Sequence, residues 1–312
     1  MNKLQEFKPD LSKKSLKVYT NTITKILKDL DSCDDLKCLN NTKKVIKYLD
    51  DKDVSFLTKR NYYNTIIVFL QANDKDKDLI KIYQDKRDIL NEEYITFQKT
   101  GQKTLKQKQS WATLDELNEV KNKLLIEVDK INKKDIYTKK DLQLVQNYFI
   151  LTFYLDTPLR NDLNNTKVIK LNEYKKLSEE DINNFNYFVY GSKNFLSLSQ
   201  YKTFKKFGLK KIELNKNIVK VFRLWYDKFN PNKEYLLINI NTNSPMTSHQ
   251  LTITLTKLFQ KYLNKSISTT MLRHIILSEK FGAVKSEMEN MADKLGHSVS
   301  TQQTIYVKQK EI

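Results

Sequence analysis

The stretch Thr269-Thr270-Met271-Leu272-Arg273-His274, continued by Leu295-Gly296-His297 and closed by Tyr306, decides how this chain is read. Leu272, Ile275, Ile276 and Phe281 recur at helical spacing, and so do Val284, Met288, Met291, Ala292 and Leu295, which predicts two successive helices. Gly296 supplies the stop of the second. Ser300 and Gln303 have the spacing of a capping box and predict a third, short helix carrying Tyr306. An arginine, a histidine and a tyrosine are therefore expected together on short rigid elements. That set suits chemistry on a phosphodiester, with a guanidinium for the charged oxygens and a phenol as nucleophile.

Leu272-Arg273-His274, Leu295-Gly296-His297 and a tyrosine nine residues after that histidine resemble the C-terminal signature of the tyrosine recombinases, the phage-integrase superfamily. Any one piece alone is equally a surface arginine or a buried tyrosine on bland helices. Their joint order and spacing carry the resemblance. Upstream, an apolar helix expected over about 140–155 runs into Asp156-Thr157-Pro158-Leu159-Arg160-Asn161-Asp162, which looks like the family's first arginine box. Pro158 stands where the family's turn usually has glycine, and the acidic residue follows the arginine by two places instead of three. These departures resemble divergent members from eukaryotic viruses and mobile elements.

Between the arginine boxes lie four short β-rich segments, Val168 to Leu171, Tyr187 to Tyr190, Phe195 to Tyr201 and Leu209 to Leu214. The family places a catalytic lysine on such a hairpin, and Lys202 is the matching position, with Lys193, Lys205, Lys206 and Lys210 nearby. The resemblance implies that Tyr306 attacks the scissile phosphate and that Arg160 and Arg273 hold its non-bridging oxygens. It further implies that Lys202 protonates the leaving 5′-oxygen and that His297 hydrogen-bonds the phosphate and positions Tyr306. Thr270 stands where the family usually has a histidine. A hydroxyl donates a hydrogen bond but shuttles no proton near neutral pH, and losing one acid/base group costs about 10²–10⁴-fold in rate.

Upstream of that domain the periodicity is helical throughout. Ser12 opens a helix with Leu16, Tyr19, Ile23, Ile26, Leu27 and Leu30 on one face; a second is expected over Thr42 to Leu49. Ser55 opens a third with Phe56, Tyr63, Ile66, Ile67 and Leu70, and a fourth runs from Leu79 toward Phe97. The expected fold is mainly α with a small antiparallel β-sheet. It comprises a helical core-binding domain over 1–99, a basic linker over 100–110 and a mixed α/β catalytic domain over 111–312. Thr113 and Glu116 form a capping box at the start of the last. Trp225, with Ile218, Phe222 and Phe229, is expected in its core, and the next helix begins near Thr247, Ser248 and His249, polar residues that suit capping and could also meet phosphate.

With a formal net charge of +18 over 312 residues, the chain calls for a polyanionic partner, nucleic acid ahead of a membrane surface. Candidate phosphate contacts are Lys13, Lys14, Lys17, Lys59, Arg60, Lys103, Lys106, Lys108, Lys205 and Lys206. Solvated faces explain many lysines equally well. Two cysteines, Cys33 and Cys38, and three histidines form neither a zinc-ligand spacing nor a disulfide framework, so no metal or other cofactor is expected. No apolar run approaches the ~20 residues of a membrane span, and the start of the chain lacks a signal-peptide core. The expectation is a soluble, reduced, intracellular protein, in the host nucleus or a cytoplasmic viral factory if viral.

The resemblance implies a site-specific recombinase, an integrase working through a 3′-phosphotyrosyl intermediate on double-stranded DNA. It would act as a homotetramer on two sites and be a monomer or weak oligomer when free. A type IB topoisomerase-like relaxer shares the chemistry, and a non-catalytic sequence-specific DNA-binding protein shares the scaffold. Many relatives carry a docking helix after the nucleophile, whereas Val307 to Ile312 are too few for one. Subunit contacts are therefore expected from another element or from a very short tail.

Overall fold

The computed structural model describes residues 2–30 and 35–308. The chain divides into two compact units, Met1–Lys103 and Thr104–Ile312. The first is helical: α1 (Asn2–Phe7), α2 (Lys13–Asp29), α3 (Thr42–Asp50), α4 (Phe56–Ala72) and α5 (Lys77–Lys99). Ser12 caps α2 and Ser55 caps α4, each hydroxyl accepting the backbone N–H three residues on. The faces expected from spacing close on one core, with Ile23, Ile26, Val45, Tyr63, Ile66 and Tyr83 buried. Tyr83 donates to the Leu39 carbonyl at 2.5 Å and ties α5 to the segment ahead of α3. Cys38 is disulfide-bonded, which corrects the expectation of reduced cysteines. Cys33 lies outside the described residues.

The division falls within the stretch expected as a linker, 100–110, whose later part forms α6 (Leu105–Ser110), capped by a Thr104–Gln107 box that the polar composition hid. α7 (Leu114–Ile131) opens on the expected Thr113–Glu116 box. α8 (Lys139–Asp156) is the central helix, buried without a break from Tyr148 to Tyr154. Beyond it come β1 (Lys167–Lys170), α9 (Leu171–Tyr174), α10 (Glu179–Asn184), β2 (Tyr187–Tyr190), β3 (Phe195–Leu198), α11 (Phe204–Phe207) and β4 (Lys210–Glu213). The sheet order is β1-β2-β3-β4, antiparallel except for the parallel β1–β2 pair. That exception follows from a connection through α9 and α10, long enough to return the chain to the same end of the sheet.

α12 (Lys216–Arg223) and a π-helical turn bury Trp225, whose indole N–H donates to the Leu236 carbonyl at 2.8 Å. The two-residue strands β5 (Ile238–Asn239) and β6 (Ser244–Pro245) lead to α13 (Ser248–Leu263), α14 (Thr269–Lys294) and α15 (Val299–Thr301). The architecture is mainly α with a small, largely antiparallel sheet. Among the described residues no helix is long and apolar enough to cross a membrane.

The expected pair of helices after Ser268 is a single one, α14, of 26 residues. Its first turns bury Leu272, Ile275 and Ile276, but Phe281 is 57% exposed and Leu295 61%. Gly282 lies mid-helix, and a Cβ there would meet nothing within 4 Å. A lone glycine costs a helix about 1 kcal/mol, too little to break one this long.

Candidate active site

α8 stops at Asp156, and the chain turns through Pro158, with the Leu159 N–H donating to the Thr157 carbonyl at 2.8 Å. Tyr154, buried in α8, donates to the Arg160 carbonyl at 2.6 Å, fixing that arginine's backbone against the core. Arg273 comes from the second turn of α14. Its Nε donates at 2.9 Å to the carbonyl of Pro158, 115 residues away in sequence and two before Arg160. Burial, and then the Arg160 charge, lower the Arg273 pKa from its ordinary value. Burial also raises the Asp162 carboxyl, against the opposing charges of Arg160, Arg273 and Lys210. Three cations thus act on one half-buried carboxylate, in a place suited to a further anion.

Asn161 joins these elements. Its amide nitrogen lies 3.1 Å from the Ser248 carbonyl, 2.9 Å from the Ser248 hydroxyl and 2.8 Å from the Thr252 hydroxyl at the start of α13. Its carbonyl accepts from the buried Thr269 hydroxyl at 2.6 Å. The residue after the first arginine therefore sets where α13 and α14 begin. Nothing local in the sequence marked Asn161 or Thr269, because their partners are remote in the chain.

The hairpin presents the expected Lys202 and, further along, Lys210. Lys202 is exposed on the turn after β3. Lys210, at the start of β4, has its ammonium 5.3 Å from the Tyr201 ring and 4.8 Å from the Phe207 ring. The Tyr201 hydroxyl donates to the Gly208 carbonyl at 2.7 Å and closes that turn. The Lys210 charge also acts on Asp162, together with those of Arg160 and Arg273.

His297 and Tyr306 form a separate pair. Gly296, at φ 68°, turns the chain back, and the His297 N–H donates to the Ala292 carbonyl at 3.1 Å. Ser298, rather than the expected Ser300, caps the next turn by accepting the Thr301 N–H. Tyr306 ends a π-helical turn, is 64% exposed and stacks on His297 with ring centroids 5.2 Å apart. At about 1.5 Å per residue, the end of α14 lies roughly 30 Å along its axis from Arg273. The sequence pattern predicted one cluster; the structure holds a cation cluster and, far along α14, a histidine–tyrosine pair. Thr270 is exposed at the arginine end.

Of the basic residues singled out, Lys13, Lys14 and Lys17 are exposed at the start of α2, Lys106 and Lys108 on α6, and Lys205 and Lys206 on α11. Lys103 ends the first unit. Lys59 instead donates to the Asp50 carbonyl at 2.6 Å. Arg60 donates to Asn91 at 3.0 Å and packs 5.6 Å from the Tyr94 ring. Those two brace the bundle internally. Among the described residues no His, Cys, Asp and Glu group could hold a metal ion.

No family model matches the chain, and no curated protein matches it. Among solved structures it is similar to the XerH site-specific recombinase bound to difH substrate in a pre-cleavage complex. The identity is 15%, with 93% of this chain and 85% of that chain covered and a TM-score of 0.35. A likeness this loose decides neither fold nor site, and both rest on the residues and distances above.

Proposed function

We propose that the chain is a DNA strand transferase of the tyrosine-recombinase type, a site-specific recombinase acting on duplex DNA. The bond from Arg273 to the Pro158 carbonyl, two residues before Arg160, carries this reading, and the charges of both arginines and of Lys210 act on Asp162 beside it. The arginines would hold the two non-bridging oxygens and offset the charge that grows on them in the pentacoordinate transition state. A bond forms between the Tyr306 oxygen and phosphorus while the bond from phosphorus to the 5′-oxygen breaks. The phenolic proton leaves to water, and a hairpin lysine protonates the 5′-oxygen, with the Lys210 charge on Asp162 favouring that residue. The phosphotyrosyl ester keeps the energy of the phosphodiester, so a second 5′-hydroxyl reverses the step without a nucleotide cofactor.

The distance of Tyr306 from the arginines favours a second reading, a DNA-binding protein that never cuts. Covalent trapping separates the two. The protein is mixed, without added metal, with a labelled library of nicked duplexes, and adducts are resolved on a denaturing gel. A Tyr306-dependent adduct, absent with Tyr306→Phe, supports strand transfer; duplexes that bind but never yield an adduct support the second reading.

A further inference from the structure

We infer that the tip of the β3–β4 hairpin is an apolar wedge: Phe207 enters between two stacked base pairs of a bound duplex and kinks it there. The inference rests on the duplex binding of the reading above, and not on cutting. From Tyr201 to Ile212 the chain carries five lysines and no acidic residue. α11, in the middle of that stretch, buries none of its side chains. Phe207 is 54% exposed and Leu209 39%. Phe188 and Phe222, by contrast, are fully buried and stacked on each other with centroids 4.1 Å apart. Folding gains little from a phenylalanine at the hairpin tip, and its use lies with a partner.

The ring is held ready for one. The ammonium groups of Lys206 and Lys210 lie over it, 5.2 Å and 4.8 Å from its centroid. Gly208, at φ 62°, turns the chain directly after Phe207, and its carbonyl accepts the Tyr201 hydroxyl at 2.7 Å, which fixes the turn. Duplex DNA complements both halves of this tip, with phosphates along the groove edges for the lysines and stacked bases for the ring. A minor groove about 6 Å wide admits a single turn with one ring at its end. A membrane surface also takes cations beside an aromatic, but Phe207 and Leu209 offer far less apolar area than an interfacial helix. Lys210 joins the wedge to the arginine site, since its ammonium lies over the Phe207 ring while its charge acts on Asp162. Pyrimidine–purine steps unstack most easily, so the wedge selects such a step beside the bound phosphate without a hydrogen bond to any base edge. Insertions of this kind kink a duplex by about 20–90°.

For the test, the wild-type protein selects its tightest duplex from a random library, with no cutting required. A fluorescent purine analogue, bright only when unstacked, is then walked along that duplex. The expected result is a rise of about threefold or more at one step, lost with Phe207→Ala and at least half retained with Phe207→Leu, because apolar bulk is what the step meets. A mismatch at that step removes part of the unstacking cost, so it should tighten wild-type binding about tenfold and Phe207→Ala binding by less than about twofold. Thermal unfolding should be unchanged in both variants, since the ring is exposed. A bright step that persists in Phe207→Ala, or a bound duplex with no bright step, overturns the wedge. Phosphatidylglycerol vesicles bound by the wild type and released by Phe207→Ala, with no bright step on DNA, make the tip a membrane contact instead. A bright step without a Tyr306-dependent adduct keeps the wedge and removes strand transfer, and a protein that selects no duplex removes both.

Discussion

Asn161→Ala is expected to loosen the cation site without removing any charge from it. The Asn161 amide nitrogen has two hydrogens for three acceptors at 2.8–3.1 Å, so it makes two full bonds, one of them shared. Its carbonyl accepts a third from Thr269 at 2.6 Å. Three bonds at about 0.5–1.5 kcal/mol each bound the loss near 3 kcal/mol. Asn161 is partly exposed, so water replaces some of them and about 1.5–2.5 kcal/mol remains. For a unit of this size that lowers Tm by roughly 4–8 °C. The freed start of α14 carries Arg273, and a displacement near 1 Å there should slow adduct formation by about 10–100-fold. Thermal unfolding and single-turnover trapping read the two effects. Asn161→Asp keeps the acceptor for Thr269 and removes both donors, so it should fall between wild type and Asn161→Ala in Tm. A Tm within 1 °C of wild type together with an unchanged adduct rate would refute Asn161 as the tie between the two arginine-bearing segments.

Arg160→Ala and Arg273→Ala should each cut adduct formation by about 10³-fold or more while duplex binding in a filter assay changes less than tenfold; equal losses would sink their assignment to the phosphate. Lys210→Ala should slow cleavage by about 10²-fold and Lys202→Ala by less than threefold. A duplex with sulfur in place of the 5′-bridging oxygen, whose leaving group needs no proton, should largely rescue Lys210→Ala, and failure of that rescue removes Lys210 as general acid. Lys134 at 2.7 Å, with Thr138, holds the Asp141 carboxyl down to about 2, so its share of stability is complete above the ordinary carboxylate range and lost as pH falls from about 4 to about 2. Thermal melts across that window should lose part of their slope in Asp141→Asn, and an identical slope would show that the ion pair contributes nothing.

Local signals were legible wherever one residue and its near neighbours settle the outcome. Ser12, Ser55 and Thr113 cap helices as expected, and the buried run of α8 follows directly from its apolar sequence. Ser300 misled because Ser298, two residues earlier and directly after the turn at Gly296, reaches the same kind of N–H first. α6 was hidden by a lysine- and glutamine-rich composition that suits a solvated helix as well as a linker. The joint position of the two arginines was legible through the resemblance, but what holds them was not. Asn161 acts on partners 87 to 108 residues away, and no window of sequence contains such a contact. The lysine of the hairpin was one residue type in a crowd, and only the turn through Phe204–Phe207 decides that β4 begins at Lys210.

The continuity of α14 is the more instructive departure. Apolar periodicity reports that a face is to be buried; it does not say against what. Reading two helices from Leu272 to Leu295 assumed that both faces close on the same core, which would fold the chain near Phe281. Leu272, Ile275 and Ile276 do meet that core, whereas Phe281, Val284, Met291 and Leu295 meet solvent. A stripe of that length left in water is costly, at about 25 cal/mol per Å² of apolar surface, unless something else covers it.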